Sequence, residues 1–194
     1  MRNILLDRDG TIIYDRHYLS RPEGVCLLPR AGEGLARLSL AGYRLFMISN
    51  QSGVGRGLFA KSDFERVQAR LRSLLQAHAV SLEDEAACFH TPEDGCRCRK
   101  PGPGLWEQLA RKHGLLAEES LIIGDKDADI QCARRAGMRG SILVLSGHGR
   151  EQLQAQATGG CPREFGLGRH PSLIATDLKE ACAWILRQDL QPGG

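Results

Sequence analysis

The chain has 194 residues, of which 42% are hydrophobic and 25% are charged, a composition that excludes fibrous, disordered and membrane-spanning classes. Lysine and arginine number 26 against 23 acidic residues, and no run of basic residues indicates nucleic-acid binding. The length predicts one domain over residues 1–194 with its own hydrophobic core.

Short apolar runs predict the strands of a buried parallel sheet, at residues 2–6, 43–49, 120–124 and 141–145. Amphipathic patterns predict helices at residues 31–41, 62–79, 103–114, 127–137 and 177–188. Ser62 and Glu65 are predicted to form a capping box, and Asp177 is the predicted N-cap of the last helix. This alternation predicts a doubly wound α/β fold, in which ligands bind beyond the carboxyl ends of the strands.

Polar side chains follow three of these strands. Asp7 and Asp9 follow the first, Ser49 ends the second, and Asp125 follows the third. Carboxylates from two strand ends predict a Mg²⁺ site, whereas Asp9-Gly10 by itself is also an ordinary turn with solvated acids. The glycine-containing loop that follows Ser49 offers a hydroxyl, an amide and backbone N–H groups to a phosphate.

Two segments interrupt the alternation. Residues 88–98, called the Cys/His loop below, hold Cys88, His90, Cys96 and Cys98. Three thiols and one imidazole suit a closed, structural Zn²⁺ site, which would fix Lys100 just beyond the loop, although unrelated thiols beside a surface histidine are the plainer alternative. Residues 147–171 are rich in glycine and are predicted to form a long surface loop or excursion.

These motifs, in this order over residues 1–146, resemble the haloacid dehalogenase superfamily of phosphohydrolases. The resemblance implies that Asp7 is a nucleophile forming an aspartyl-phosphate and that Asp9 is the general acid and base. It also implies that Ser49 and Lys100 donate to the transferring phosphoryl group. Magnesium would lie between the Asp7 carboxylate, the Asp9 main-chain carbonyl and Asp125.

The Cys-x-His and Cys-x-Cys-Arg-Lys-Pro patterns are similar to the zinc-loop branch of this superfamily, which has a minimal cap and includes heptose bisphosphate and histidinol-phosphate phosphatases. The loop from Asn50 to Gly57, together with Lys126 after Asp125, favours the heptose type. By the same resemblance the substrate pocket is lined by polar residues, with Arg99 on the distal phosphate. They are Asp15, Arg16, Tyr18, Ser49, Asn50, Gln51, Ser52, Arg99 and Lys126.

The resemblance therefore predicts a Mg²⁺-dependent phosphatase that removes the C7 phosphate of a heptose 1,7-bisphosphate, in the synthesis of activated heptose for lipopolysaccharide or another surface glycan. The alternatives are a histidinol-phosphate or other small-metabolite phosphatase, and a zinc-stabilised binding module without turnover. We expect a cytoplasmic protein with no membrane partner, because charged residues interrupt the first ten positions and no stretch approaches ~18 apolar residues. We also expect a monomer.

Overall fold

The computed structural model describes residues 3–156 and 167–190. Its centre is a parallel sheet of six strands in the order β3-β2-β1-β4-β5-β6. The strands are β1 (Asn3–Leu6), β2 (Arg44–Asn50), β3 (Asp84–Cys88), β4 (Ser120–Gly124), β5 (Gly140–Val144) and β6 (Leu173–Ala175). The predicted doubly wound α/β fold is confirmed, and the four predicted strands lie within about one residue of their expected bounds.

Helices cover both faces of this sheet. They are α1 (Ala31–Leu40), α2 (Ser52–Gly55), α3 (Lys61–Gln76), α4 (Gly104–His113), α5 (Asp127–Arg135), α6 (Gly149–Gln156) and α7 (Leu178–Leu190). Side chains of α1, α3 and α7 share one hydrophobic cluster, and those of α4 and α5 share another. None of the helices in the described residues is both long and apolar enough to cross a membrane.

Successive side chains of each central strand enter opposite clusters. Ile4 and Leu6 of β1 pack with the α1, α3 and α7 side, while Leu5 between them packs with the α4 and α5 side. Because both faces are covered, the strand must be apolar at every position. Burial of each such large side chain contributes about 1.5–3 kcal/mol to the sheet that carries the site.

Two predictions about the elements need correction. The predicted Ser62 and Glu65 capping box is wrong, because α3 begins at Lys61, where the Ala60 amide donates to the Asp63 carboxylate at 2.8 Å. The predicted N-cap is confirmed, since Asp177 accepts the Glu180 amide at 2.7 Å.

The second correction concerns residues 147–171, which are not one loop. Residues 149–156 form α6, and residues 157–166 of the predicted excursion lie outside the described residues. Two strands were not predicted: β3, whose acidic residues hide its strand pattern, and the short edge strand β6. The single domain over residues 1–194 stays a prediction.

Candidate active site

The carboxyl ends of β1, β2 and β4 meet at one edge of the sheet. Leu6 of β1 pairs with Met47 of β2 and with Ile123 of β4, so the residues that follow these strands are neighbours. The Asp7 amide donates to the Ile123 carbonyl at 2.9 Å, which holds the chain beyond β1 against the end of β4. This edge brings the predicted acids Asp7 and Asp125 together.

Asp7, Asp125 and Asp129 form a buried carboxylate cluster, in which one oxygen of each lies within 4.8 Å of the others. Burial is the main cause that raises the pKa of Asp125 to about 7 and that of Asp129 to about 6, and the negative charge of Asp7 raises both further. Asp129 was not among the predicted site residues. Its position in the first turn of α5, four residues after Asp125, was the available signal.

Lys100 lies in this cluster with its side chain buried. Its ammonium nitrogen lies 2.5 Å from Asp7 Oδ1 and 2.6 Å from Asp129 Oδ1, and it donates to the Ile48 carbonyl at 2.9 Å. Burial alone lowers the pKa of Lys100, but the two carboxylates raise it above its ordinary value, so the side chain stays charged. Asn50 fixes the Lys100 main chain by accepting from its amide and donating to its carbonyl.

Asp125 meets the requirements of a cation ligand. The residue is fully buried, its Oδ2 accepts the His148 amide at 2.8 Å, and its Oδ1 has no hydrogen-bond partner among the described residues. A Cβ on Gly10, which has φ +81°, or on Gly147 would lie 2.2 Å from Asp125 Oδ2. An unpaired buried oxygen among three carboxylates and one lysine fits a hard divalent cation such as Mg²⁺.

Asp9 points its carboxylate into a second group of polar side chains. Arg8 Nε donates to Asp9 Oδ2 at 3.0 Å, and Gln51 Nε2 donates to the same oxygen at 2.8 Å and to Ser49 Oγ at 2.7 Å. Burial raises the pKa of Asp9 although the Arg8 charge lowers it. Arg8 was not predicted as a site residue, because the middle position of Asp-x-Asp carries no signal of its own burial.

Two adjoining cavities open at this edge, with volumes of about 50 and 190 Å³. They share Asp9, Asn50 and Lys126. The smaller is also lined by Asp7, Ser49, Lys100, Ala128 and Asp129. The larger is also lined by Arg8, Asp15, His17, Tyr18, Leu19, Gln51, Ser52 and Gly53. The structure thus brings together most of the predicted catalytic and substrate-binding residues.

Three predicted substrate residues occupy different settings. Asp15 Oδ2 lies 3.3 Å from Lys126 Nζ and 3.3 Å from His148 Nε2, so it joins the loops beyond β1, β4 and β5. Arg16 is exposed, and neither it nor Arg99 is among the residues that line the two cavities. Arg99 Nη1 instead donates to the His90 carbonyl at 3.3 Å, and its role on a distal phosphate stays a prediction.

The four predicted zinc ligands converge in the Cys/His loop. Cys98 Sγ lies 3.2 Å from Cys88 Sγ and 3.4 Å from Cys96 Sγ, and His90 Nδ1 lies 3.2 Å from Cys98 Sγ. Sulfurs bound to one tetrahedral zinc at about 2.3 Å are about 3.8 Å apart, so this slightly tighter set fits the ion. Cys88 ends β3, and its carbonyl accepts the Gln51 amide at 2.6 Å.

Two protein-family models match the chain. The model described as polynucleotide kinase 3 phosphatase matches residues 4–138, and the HAD-hydrolase-like model matches residues 97–181. Together these matches span the carboxyl ends of β1, β2 and β4, the Cys/His loop and β5.

Individual relatives are similar over most of their length. The D-glycero-beta-D-manno-heptose-1,7-bisphosphate 7-phosphatase of Helicobacter pylori strain J99 is 38% identical over 73% of this chain and 82% of its own. The Bordetella bronchiseptica protein of the same name is 34% identical over 92% of this chain and 98% of its own. A crystal structure of D,D-heptose 1,7-bisphosphate phosphatase from B. bronchiseptica, in complex with magnesium and phosphate, superimposes with a TM-score of 0.85. It is 31% identical and covers 97% of this chain and 99% of its own.

Proposed function

The chain belongs to the D-glycero-D-manno-heptose-1,7-bisphosphate 7-phosphatase family of haloacid dehalogenase-like hydrolases, and from this premise we propose that it removes the C7 phosphate of that sugar through an aspartyl-phosphate. One observation carries the mechanism. A buried lysine holds one oxygen of Asp7 where both residues line a small polar cavity, and Asp125, with its unpaired oxygen, belongs to the same carboxylate cluster.

The first half of the reaction transfers the phosphoryl group. The Asp7 carboxylate attacks phosphorus, so that an Asp7 O–P bond forms while the bond from phosphorus to the C7 oxygen breaks. Asp9 gives its proton to the departing C7 oxygen, which otherwise leaves as a strongly basic alkoxide. Lys100 and Ser49 donate to the non-bridging oxygens of the group in transfer.

The second half releases phosphate. Asp9, now a carboxylate, takes a proton from a water molecule as that water attacks phosphorus, and the Asp7 O–P bond breaks. Inorganic phosphate leaves, Asp7 returns as a carboxylate and Asp9 returns protonated. The residues that would hold magnesium are Asp7, Asp125 and the Asp9 carbonyl, and the bound ion neutralises charge on the transferring group.

The Cys/His loop has a structural part in this proposal. Cys88, His90, Cys96 and Cys98 would hold Zn²⁺ in a closed site with no position left for water. Lys100 follows Cys98 by two residues, so the ion would restrict the segment that delivers the lysine to Asp7. The fit of the three thiols and the imidazole to a tetrahedral ion supports this assignment.

The remaining polar residues would bind the sugar and its second phosphate. The larger cavity supports sugar binding by Asp15, Tyr18, Asn50, Gln51, Ser52 and Lys126. Arg16 and Arg99 would act outside it, with Arg99 as a fork for the distal phosphate. The names of the relatives favour heptose bisphosphate over histidinol phosphate, and the intact acids, lysine and hydroxyl disfavour a binding module without turnover. Action in the cytoplasm, as a monomer, belongs to the same proposal.

Phosphate release from a panel of substrates tests the proposal. The panel holds both anomers of heptose 1,7-bisphosphate, histidinol phosphate and fructose 1,6-bisphosphate, each with Mg²⁺ and with Asp7→Asn as the blank. We expect the highest kcat/KM for a heptose bisphosphate, with heptose 1-phosphate as the only sugar product by ³¹P NMR. A higher kcat/KM for histidinol phosphate, or release of the C1 phosphate, would contradict the assignment.

A further inference from the structure

Arg8 is a buried charged side chain beside the larger of the two cavities. It is 1% exposed and follows Asp7 directly, yet it points away from the carboxylate cluster. Its guanidinium lies 5.4 Å from the centre of the Phe64 ring, on α3. Moving a guanidinium this far from water is costly unless its donors are matched by acceptors.

The acceptors come from three separate parts of the chain. Nε donates to Asp9 Oδ2 at 3.0 Å, and Nη2 lies 2.9 Å from the same oxygen and 3.2 Å from Asp9 Oδ1. Nη2 also donates to Gln51 Oε1 at 2.8 Å, and Nη1 donates to Gln68 Oε1 at 2.8 Å. Arg8 therefore connects the loop beyond β1, the loop beyond β2 and the buried face of α3.

The connection continues to the surface of the sheet. Gln68 Nε2 donates to Glu85 Oε2 at 2.8 Å, and the same oxygen accepts Arg72 Nη1 at 3.0 Å. Gln68 is 2% exposed, so its amide has few other orientations that would satisfy both of its partners. The bonds of Gln68 to Arg8 and to Glu85 anchor the guanidinium to α3 and β3 and fix its orientation, whereas Arg72 only caps the exposed end.

The two oxygens of Asp9 are held unequally. Oδ2 accepts Arg8 Nε at 3.0 Å and Gln51 Nε2 at 2.8 Å and also lies 2.9 Å from Arg8 Nη2, whereas Oδ1 accepts only a longer bond, at 3.2 Å, from Arg8 Nη2 among the described residues. A planar fork restricts the rotation of a carboxylate that it contacts on both oxygens. Oδ1 is consequently the oxygen with a lone pair left to carry a proton.

We infer that Arg8 is the positioning residue for Asp9, and that with Gln68 behind it Arg8 directs Asp9 Oδ1 at the leaving oxygen of the substrate. The inference rests on the proposed function, in which Asp9 is the general acid. The inference predicts a substrate-dependent effect. Misplacing the Asp9 proton should slow only those substrates whose leaving oxygen must be protonated.

Two substrates separate this role from a general structural one. The C7 oxygen of heptose 1,7-bisphosphate leaves as a strongly basic alkoxide unless it is protonated, whereas p-nitrophenyl phosphate releases a weakly basic phenolate. The measured quantity is kcat/KM, which covers the steps up to transfer of the phosphoryl group and leaves out hydrolysis of the aspartyl-phosphate. General acids contribute about 10²–10⁴-fold to such steps.

We expect Arg8→Met to lower kcat/KM for the heptose bisphosphate at least about tenfold, and for p-nitrophenyl phosphate less than about threefold. Gln68→Leu should also lower kcat/KM more for the heptose bisphosphate than for p-nitrophenyl phosphate, with a smaller loss than Arg8→Met. If Arg8→Met does not fold, the Gln68→Leu result tests the positioning role. Arg72→Met removes only the exposed end of the network and serves as the control, with both substrates unchanged.

Asp9→Asn distinguishes the two possible failures. If Asp9→Asn lowers kcat/KM for the sugar much more than for p-nitrophenyl phosphate while the Arg8 and Gln68 variants lower both equally, the positioning role is overturned and the proposed function stands. If Asp9→Asn itself has no preference between the substrates, the acid role in the proposed function is wrong. Thermal unfolding of each variant confirms that folded protein is being compared.

Discussion

The carboxylate cluster and the Cys/His loop are both groups of side chains that could hold a metal ion, but the protein holds them in different ways. Asp7, Asp125 and Asp129 are buried at strand ends and in the first turn of α5, and Lys100 already compensates part of their charge. In the Cys/His loop only Cys88 lies in a strand, while His90 is exposed.

The difference lies in what gives each set its shape. Ladder hydrogen bonds between β1, β2 and β4 set the spacing of the carboxylates. Within residues 89–97 of the Cys/His loop, regular structure is limited to a single 3₁₀ turn at Pro92–Asp94, closed by Asp94 accepting the Thr91 amide. A substitution in the carboxylate cluster should therefore remove chemistry and leave the fold, whereas one in the loop should disturb local structure first.

Asp7→Asn should have the largest effect on activity of the substitutions that test this contrast. The amide is no nucleophile, so we expect turnover to fall by at least about 10³-fold. The side chain is nearly isosteric and one of three clustered negative charges is removed, so the thermal unfolding temperature should not fall. A folded Asp7→Asn variant that still hydrolyses the bisphosphate would contradict the covalent mechanism.

Lys100→Ala should have the next largest effect, with kcat/KM reduced about 10²–10³-fold. Because Lys100 contacts Asp7 and would donate to the transferring group, a sugar bisphosphate and a monophosphate should lose equally. Lys112→Ala removes an exposed lysine paired with Asp84 and is the matched control. A loss confined to the bisphosphate would place Lys100 on the distal phosphate instead.

Cys96→Ser tests the second half of the contrast. Purified protein should retain about one zinc per chain through dialysis, and the variant should lose it together with thermal stability. If Lys100 shifts by about 1 Å as the loop loosens, turnover falls about 100-fold.

Cys26→Ser, an exposed thiol outside the loop, should keep both zinc and activity. Protein made with zinc present that contains none, or a Cys96→Ser variant with unchanged turnover, would show that the loop keeps its shape without an ion.

Arg99→Ala should have the smallest effect on kcat/KM, and the effect should be confined to the bisphosphate substrate. Loss of a charge-assisted contact to the distal phosphate costs about 1.5–3 kcal/mol, or about ten- to a hundred-fold in kcat/KM for the bisphosphate. A monophosphate should be almost unaffected. Arg97→Ala, two residues away and paired with Glu107, is the control. Equal losses on both substrates would instead assign Arg99 to support of the loop through the His90 carbonyl.

The order of residues along the chain was enough to predict the parts of the site that follow apolar runs. Asp7, Ser49 and Asp125 come at or just after strands whose side chains are apolar on both faces, so their meeting at one edge is a consequence of parallel pairing. The convergence of the four side chains in the Cys/His loop could also be predicted from the sequence. Four soft ligands within eleven residues are rare unless they share an ion.

Only the tertiary structure decided what each polar side chain contacts. Arg8 lies between two acidic residues in the sequence, which gives no sign that it is buried. Its burial against Gln51 and Gln68 depends on where β2 and α3 lie, more than forty residues away in sequence. Asp129 enters the carboxylate cluster because α5 begins directly beyond β4. β3 forms by parallel pairing with β2, and its acidic side chains contact α3 and α4. Local pattern determines which face a residue occupies, but hydrogen-bond partners distant in sequence are chosen by packing, which no local pattern records.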